Sequence, residues 1–241
     1  MREPDDSARA RRRIAASWDA NAAAWARAIE AGTESRRAGT DAAVLGAIRD
    51  ALRAAGGGRV LDVGCGEGWL LRALRAEGVR ADGIDGSAEL ARTAGARHLT
   101  YAEAIVEPAR LGGPYAVAVF SFALLDDEPA PLLRAVTSRL SSSGRVVIQT
   151  LHPISVGGPY EAGWREESFE GFGDAGFEPM PWFFHTFESW SRALEAAGLT
   201  VERTSEPRHP ETRAVLSLVL TAAPTRSAED ATDRGARLIS E

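Results

Sequence analysis

The sequence predicts an α/β fold: a doubly wound, mostly parallel seven-strand sheet with helices on both faces. Three observations predict it. Short apolar runs alternate with helical stripes from Arg59 to Leu151, the rhythm of consecutive βαβ units. The run Tyr115–Phe122 is apolar without alternation, as a strand covered on both faces requires. Two further strands, at about 199–205 and 214–221, are joined only by Glu206 to Glu211. So short a link closes an antiparallel pair and not a crossover.

The elements follow in order. Residues 1–8 read as disordered. From about Arg9 to Ala31, Ile14, Trp18, Trp25 and Ile29 fall on one helical face that Gly32 stops. After the polar link Thr33–Gly39, Thr40 is placed to cap a second helix carrying Val44, Leu45, Ile48 and Leu52. Residues 1–57 therefore form a helical cap over the sheet's C-terminal edge, and 58–223 form the core.

The core opens with a strand at 59–63 and a helix at 67–77, then a strand at 79–85 and a helix that starts after Ser87. A weak third strand lies near 97–101. The fourth, 115–122, leads to a helix carrying Leu132, Leu133, Val136 and Leu140, and a fifth strand spans 145–151. Residues 152–184 break this rhythm, and a loop of that length in a compact domain reads as functional, here a substrate lid. Thr186 caps a last helix with Phe187, Trp190, Leu194 and Ala197 on one stripe. The tail 224–241 is polar and is expected to be flexible.

Composition narrows the function. With 34 acidic against 28 basic residues the chain carries a charge of −6, which argues against a protein that grips nucleic acid. The dense run Arg9, Arg11, Arg12, Arg13 reads as the solvated side of a helix end. No apolar run is long enough to span a membrane. The N-terminal MREPDDSARA lacks the apolar stretch of a secretion signal, so a cytoplasmic setting is expected. The single cysteine, Cys65, excludes an internal disulfide or a multi-cysteine metal cage, and no metal is expected.

The chemistry concentrates in Arg59–Trp69, RVLDVGCGEGW. Here a short strand enters a turn with glycines at 64, 66 and 68, and a helix follows. Glycines let the backbone take positive φ and approach a ligand closely. A dinucleotide fingerprint wants G-x-G-x-x-G with room for a pyrophosphate. This turn is G-x-G-x-G, preceded by Asp62 and followed by Glu67, and a carboxylate there repels a pyrophosphate. A ligand bearing an ammonium suits it better. Asp85 ends the second strand, where an acid reaches ribose hydroxyls.

VLDVGCGEG followed by GIDGS resembles the class I S-adenosylmethionine-dependent methyltransferases, and the order of elements matches over about residues 40–222. The resemblance implies a Rossmann-like sheet of seven strands with the last antiparallel. It also implies S-adenosyl-L-methionine as donor, with S-adenosyl-L-homocysteine as product. It would set Asp62, Gly64, Cys65, Gly66 and Gly68 beside the donor's methionine part, although the thiol itself reads as packing. Asp85 would bind the ribose hydroxyls, with Gly86 and Ser87 beside it. Glu103 and Ala104 would lie near the adenine. Phe120, Ser121 and Phe122, ending the fourth strand, would floor the transfer site, with Phe122 toward the acceptor.

The chain departs from the family's pattern in three places. The adenine loop reads Tyr101-Ala102-Glu103-Ala104 instead of Gly-Asp-Ala. The aspartate common at the start of the fourth strand is Ala116. No Asn/Asp-Pro-Pro-aromatic follows that strand, which removes adenine and glutamine side chains from the expected acceptors.

The remaining candidates follow from position. Trp18, Asn21 and Trp25 would cover the donor from above, and Arg36 or Arg37 could pair with its carboxylate. His152, just after the fifth strand, is the candidate general base. Residues 160–190 hold ten of the chain's 17 aromatic residues, among them Phe172. The lid is also rich in acids, Asp174 among them, with Arg165 its one base. Aromatic faces beside carboxylates suit a planar or amine-bearing small molecule, so Tyr160, Trp164, Trp182 and His185 are substrate-binding candidates, together with Trp18 and Phe122. The expected function is methylation of a small-molecule acceptor at oxygen or nitrogen. The alternatives are an RNA- or protein-modifying methyltransferase, a non-catalytic donor-binding relative, and an NAD-dependent oxidoreductase.

Overall fold

A computed structural model describes residues 4–30, 37–170 and 176–225. The segments 31–36 and 171–175 and the tail from 226 lie outside them, and with them Arg36, Phe172 and Asp174. The helices are α1 (Pro4–Glu30), α2 (Arg37–Ala55), α3 (Trp69–Ala76), α4 (Ala88–Ala94), α5 (Tyr101–Val106), α6 (Ala130–Thr137) and α7 (Phe187–Ala196). The strands are β1 (Val60–Val63), β2 (Ala81–Asp85), β3 (Arg97–His98), β4 (Tyr115–Ser121), β5 (Leu140–Thr150), β6 (Gly163–Glu167), β7 (Met180–Phe184), β8 (Leu199–Ser205) and β9 (Leu218–Pro224).

Seven strands form one sheet in the order β3-β2-β1-β4-β5-β9-β8. The pairs from β3 to β5 are parallel, and β9 runs antiparallel to both its neighbours. Alternation along the central strands splits the core into two layers. Val60, Val117, Val119 and Val147 pack with α2 and α3 on one face. Leu61, Ala118, Phe120 and Ile148 pack with α6 and α7 on the other. Each such fully buried side chain contributes about 1.5–3 kcal/mol. From β1 the chain moves outward to β2 and β3, then returns across β1 to β4. The crevice beyond the C-terminal end of β1 is therefore a topological switch point, where open α/β sheets bind ligands.

Several expectations change. Helix α1 starts at Pro4, inside the stretch expected to be disordered. Proline suits the first helical position, and Ser7 and Arg11 tie this turn to Asp126 and Asp127 after β4. The buried stripe of α1 is Ser17, Asn21, Ala24 and Ala28, with Ile14, Trp18, Trp25 and Ile29 only half-buried beside it. Small side chains let this helix lie close to its partners. Thr40 lies inside α2, which starts at Arg37, and so does not stand at its N-cap; its carbonyl accepts from Gln149 Nε2 at 2.8 Å.

The expected third strand shrinks to two residues, because Thr100 and Glu103 build a capping box that starts α5. Within 152–184 lies a regular antiparallel hairpin, β6 and β7, forming its own two-stranded sheet. All five residues of β7 are buried, so it shows no polar alternation. The hairpin joins the rest of the fold through Phe183 N–H, which donates to Leu125 C=O at 2.9 Å.

Candidate active site

The four buried residues of β1 deliver the chain straight into the glycine turn. Gly64 and Cys65 both donate to Ile84 C=O, at 2.9 and 3.0 Å, which pins the turn to the end of β2. Gly64, Gly66 and Gly68 have φ of 73°, 55° and 87°, the left-handed region that favours glycine. Their surroundings separate their roles. A Cβ on Gly64 would strike the Tyr101 hydroxyl and Ala123, and one on Gly68 would stand 2.8 Å from Ala94 Cβ. These two glycines serve close packing. Among the described residues a Cβ on Gly66 meets only Trp25 Nε1, at 3.6 Å, so toward them the backbone of Gly66 stays open.

Carboxylates surround that space. Asp62, Glu67 and Asp85 are all buried. Asp85 Oδ2 accepts from Gly66 N–H and Oδ1 from Ser87 N–H, both at 2.8 Å. Glu67 accepts from the Trp25 indole at 3.3 Å and from Arg72. Among the described residues Asp62 Oδ1 has no partner, and neither does the buried hydroxyl of Ser87. Burial, then the charges of Asp85 and Glu67, push the Asp62 carboxyl up to about 8. Burial also raises Asp85, against the lowering pull of its two backbone donors. Among the described residues no arginine forms a salt bridge to Asp62 or Asp85.

A family described as a methyltransferase domain matches residues 36–204. The chain belongs to the methyltransferase-domain family. Among solved structures, a 1,6-didemethyltoxoflavin-N1-methyltransferase from Burkholderia thailandensis matches with a TM-score of 0.61 and 18% identity, over 94% of this chain and 92% of that one. An S-adenosylmethionine-dependent methyltransferase from Mesorhizobium loti matches at 0.54 and 22%, over 73% and 95%. The magnesium protoporphyrin IX methyltransferase of Synechocystis, solved with its donor bound, matches at 0.50 and 18%, over 76% of each chain. No curated protein matches the sequence. The fold is that of the class I S-adenosylmethionine-dependent methyltransferases.

The methyltransferase's turn fits such a donor. The orphaned Asp62 oxygen can accept from an ammonium. Each Asp85 oxygen keeps a free acceptor position for a diol after taking its backbone N–H. The missing Cβ of Gly66 leaves the approach clear, and the negative surroundings favour a sulfonium where they oppose a phosphate.

Other expected donor residues have different neighbours. Glu103 spends its carboxylate on the Thr100 cap and on Arg110, which hold it down at about 2, so it does not turn toward an adenine. Ala104 and Phe120 are fully buried in the core, leaving only their backbone to face a ligand. Ser121 donates to Gln149 Oε1 at 3.0 Å. Cys65 is a packed thiol that burial raises. The backbone of Arg37 opens α2, and its side chain lies outside what is described.

On the acceptor side, His152 is buried at the end of β5. Its Nδ1 accepts from Ile154 N–H at 3.3 Å, so Nε2 carries the proton and donates to Glu206 at 3.1 Å. The imidazole therefore presents no free acceptor nitrogen. His185 donates from Nε2 to Asp126 C=O at 2.9 Å and takes the Ser189 hydroxyl at Nδ1 at 3.0 Å. Burial lowers its pKa, so it is a neutral structural histidine. The Tyr160 hydroxyl takes the Phe187 N–H at 3.0 Å and donates to Glu188 in the first turn of α7. Arg165 lies over Phe184 at 3.6 Å and holds the carbonyls of Gly157 and Pro159. Trp182 is buried in the hairpin, and Trp164 packs edge-on to Phe183. Phe122 is different: it is 36% exposed, with φ 54°.

Two residues of the site were not foreseen. Tyr101 places its hydroxyl against Gly64 and donates to Ala123 C=O at 3.2 Å. Burial, with Asp85 and Asp62 nearby, holds it un-ionised. Asp19 of α1 adds a further negative charge beside Asp85. The turn pattern carried no signal for either.

Proposed function

We propose that this methyltransferase acts on a nitrogen of a small planar acceptor held between the end of β4 and the β6–β7 insertion. The observation that carries this reading is Phe122. Its backbone is held at φ 54° while its N–H donates to Gln149 C=O at 2.8 Å, and its ring stays exposed just past the transfer-site strand. A strained residue with an exposed aromatic face at a ligand edge is a binding feature more than a folding one.

The donor, when bound, supplies an electrophilic methyl on a sulfonium. The protein's own work is to hold, orient and keep dry. Asp62 and the glycine turn hold the ammonium end, Asp85 the ribose, and Trp25 stands over the turn. A neutral nitrogen attacks with its own lone pair and afterwards loses a proton to solvent. It therefore needs placement and desolvation more than a base. The engaged nitrogens of His152 support nitrogen over hydroxyl, and in this reading His152 positions Glu206 and the 152–155 turn. The Burkholderia relative, solved with 1,6-didemethyltoxoflavin and S-adenosylhomocysteine, supports a small heterocyclic acceptor.

The test is a methyl-transfer screen with S-adenosylmethionine against amine, N-heterocycle, phenol and carboxylate panels, with RNA and peptide arms. Turnover confined to nitrogen compounds is the expected result. Turnover only on phenols, RNA or peptides would overturn it.

A further inference from the structure

Asn21 lies mid-way along α1 and is 1% exposed. Its amide is spent on the backbone of one residue far away in sequence: Oδ1 accepts from Glu178 N–H at 2.7 Å, and Nδ2 donates to Glu178 C=O at 2.9 Å. Nδ2 also donates to Ser17 Oγ at 3.0 Å. A side-chain amide that meets both backbone polar groups of one residue docks that backbone as a neighbouring strand would. Glu178 lies two residues before β7, so the clamp sets where the hairpin sits on α1.

The same helix reaches the donor site. One turn beyond Asn21, Trp25 donates to Glu67 and stands over Gly66. An aromatic chain runs parallel to the clamp. Trp25 meets Trp18 edge-on at 5.3 Å, Trp18 meets Phe169 at 6.4 Å, and Phe169 stacks on Phe177 at 4.7 Å. Helix α1 thus carries the roof of the donor turn and the seat of the insertion on one rigid element.

We propose that Asn21 is a positioning residue for methyl transfer, fixing the insertion to the helix that roofs the donor turn, so that filling the donor site orders the acceptor side. The part that concerns the acceptor rests on the reading of the insertion given above. Coupling of this kind needs a contact that both sites bias, and the Asn21–Glu178 clamp is that contact.

The experiment is amide hydrogen exchange on the full chain with and without S-adenosylhomocysteine, beside calorimetric donor binding. In the wild type the ligand slows exchange in α1 and in 176–184 together. Asn21→Ala keeps donor affinity within about threefold and keeps the protection of α1, but loses the ligand-dependent protection of 176–184. Asn21→Asp, which places an oxygen against the Glu178 carbonyl, does the same and serves if the alanine variant folds poorly. A wild type whose 176–184 exchange ignores the ligand overturns the proposal, as do variants that keep the response. With an acceptor in hand, its KM rises about tenfold in both variants while kcat changes little. If the exchange result holds but KM does not move, the coupling stands and the insertion does not seat the acceptor.

Discussion

Asp85 takes the Gly66 N–H on one carboxylate oxygen at 2.8 Å, so the end of β2 holds the middle of the glycine turn from below. Its other oxygen holds Ser87 N–H at the start of α4. The acid proposed to face the ribose is therefore also the strut between two loops. Asp85→Asn exchanges one acceptor oxygen for a donor and leaves one of the two amides unmet. Donor affinity by calorimetry falls about 30–100-fold, and stability drops by about 1–2 kcal/mol. Unchanged affinity would remove Asp85 from the donor site.

Asp62 makes donor binding pH-dependent. Its folded pKa, about 8, lies above the ordinary 3.8. A carboxyl raised in this way stabilises the fold fully below its unfolded value and loses that contribution as pH rises through the folded one. The free protein therefore loses stability between pH 3.8 and about 8 on this account. An ammonium ligand requires the carboxylate, so binding at pH 7 releases a proton and tightens as pH approaches 8. Calorimetry in two buffers of different ionisation enthalpy counts that proton. In Asp62→Asn the released proton disappears, affinity falls about tenfold, and the melting temperature of the free protein flattens across the window. Equal proton release in both proteins would refute the assignment.

The glycines of the turn are not interchangeable. Gly64→Ala and Gly66→Ala each incur about 1 kcal/mol for a side chain at positive φ. Only the first also drives a Cβ into the Tyr101 hydroxyl and to 2.7 Å from Ala123 Cβ. Gly64→Ala is expected to lose about 2–4 kcal/mol by chemical denaturation. Gly66→Ala loses about 1 kcal/mol in the same experiment yet weakens the donor at least about tenfold, because its methyl enters the open approach. The reverse order of stabilities would contradict the packing described.

His152→Ala separates positioning from base catalysis. The truncation leaves Ile154 N–H unmet and a hole beside Phe187, costing about 2 kcal/mol and roughly 4–8 °C in Tm. For a nitrogen acceptor kcat falls less than about fivefold. A loss of about a hundredfold with an unmoved Tm would restore the imidazole as the base.

What the sequence showed follows from which forces are local. Strand β4 was legible because burial on both faces leaves an unbroken apolar run, β1 and the last part of β5 because short apolar stretches there stand between helical stripes, and the turn because left-handed backbone selects glycine at fixed spacing. Strand β7 was not, since all of Met180–Phe184 is buried and looks the same as any apolar loop. The spent carboxylate of Glu103 had a signal, the Thr100-x-x-Glu103 capping box, but the family's adenine loop was read over it. The partners of Asn21, His152 and Tyr160 lie 157, 54 and 28 residues away, and no local pattern marks such pairs.

Phe122 carries the last prediction, because its backbone and its ring pull in opposite directions. A phenylalanine held at φ 54° costs about 1–2 kcal/mol relative to a relaxed backbone. Phe122→Gly removes that strain together with the ring, and the entropy gained by the unfolded chain offsets part of the relief. Its stability therefore stays within about 1 kcal/mol of wild type. Phe122→Ala keeps the strain while losing the ring's packing, so it is the less stable of the two. Neither touches the glycine turn, and donor affinity holds in both. If the exposed ring is the floor of the acceptor site, both variants raise the acceptor's KM about tenfold or more. The pair thus separates backbone strain from ring contact: equal KM effects with unequal stabilities assign the work to the ring. An acceptor KM that follows stability instead would mean Phe122 acts only through the fold.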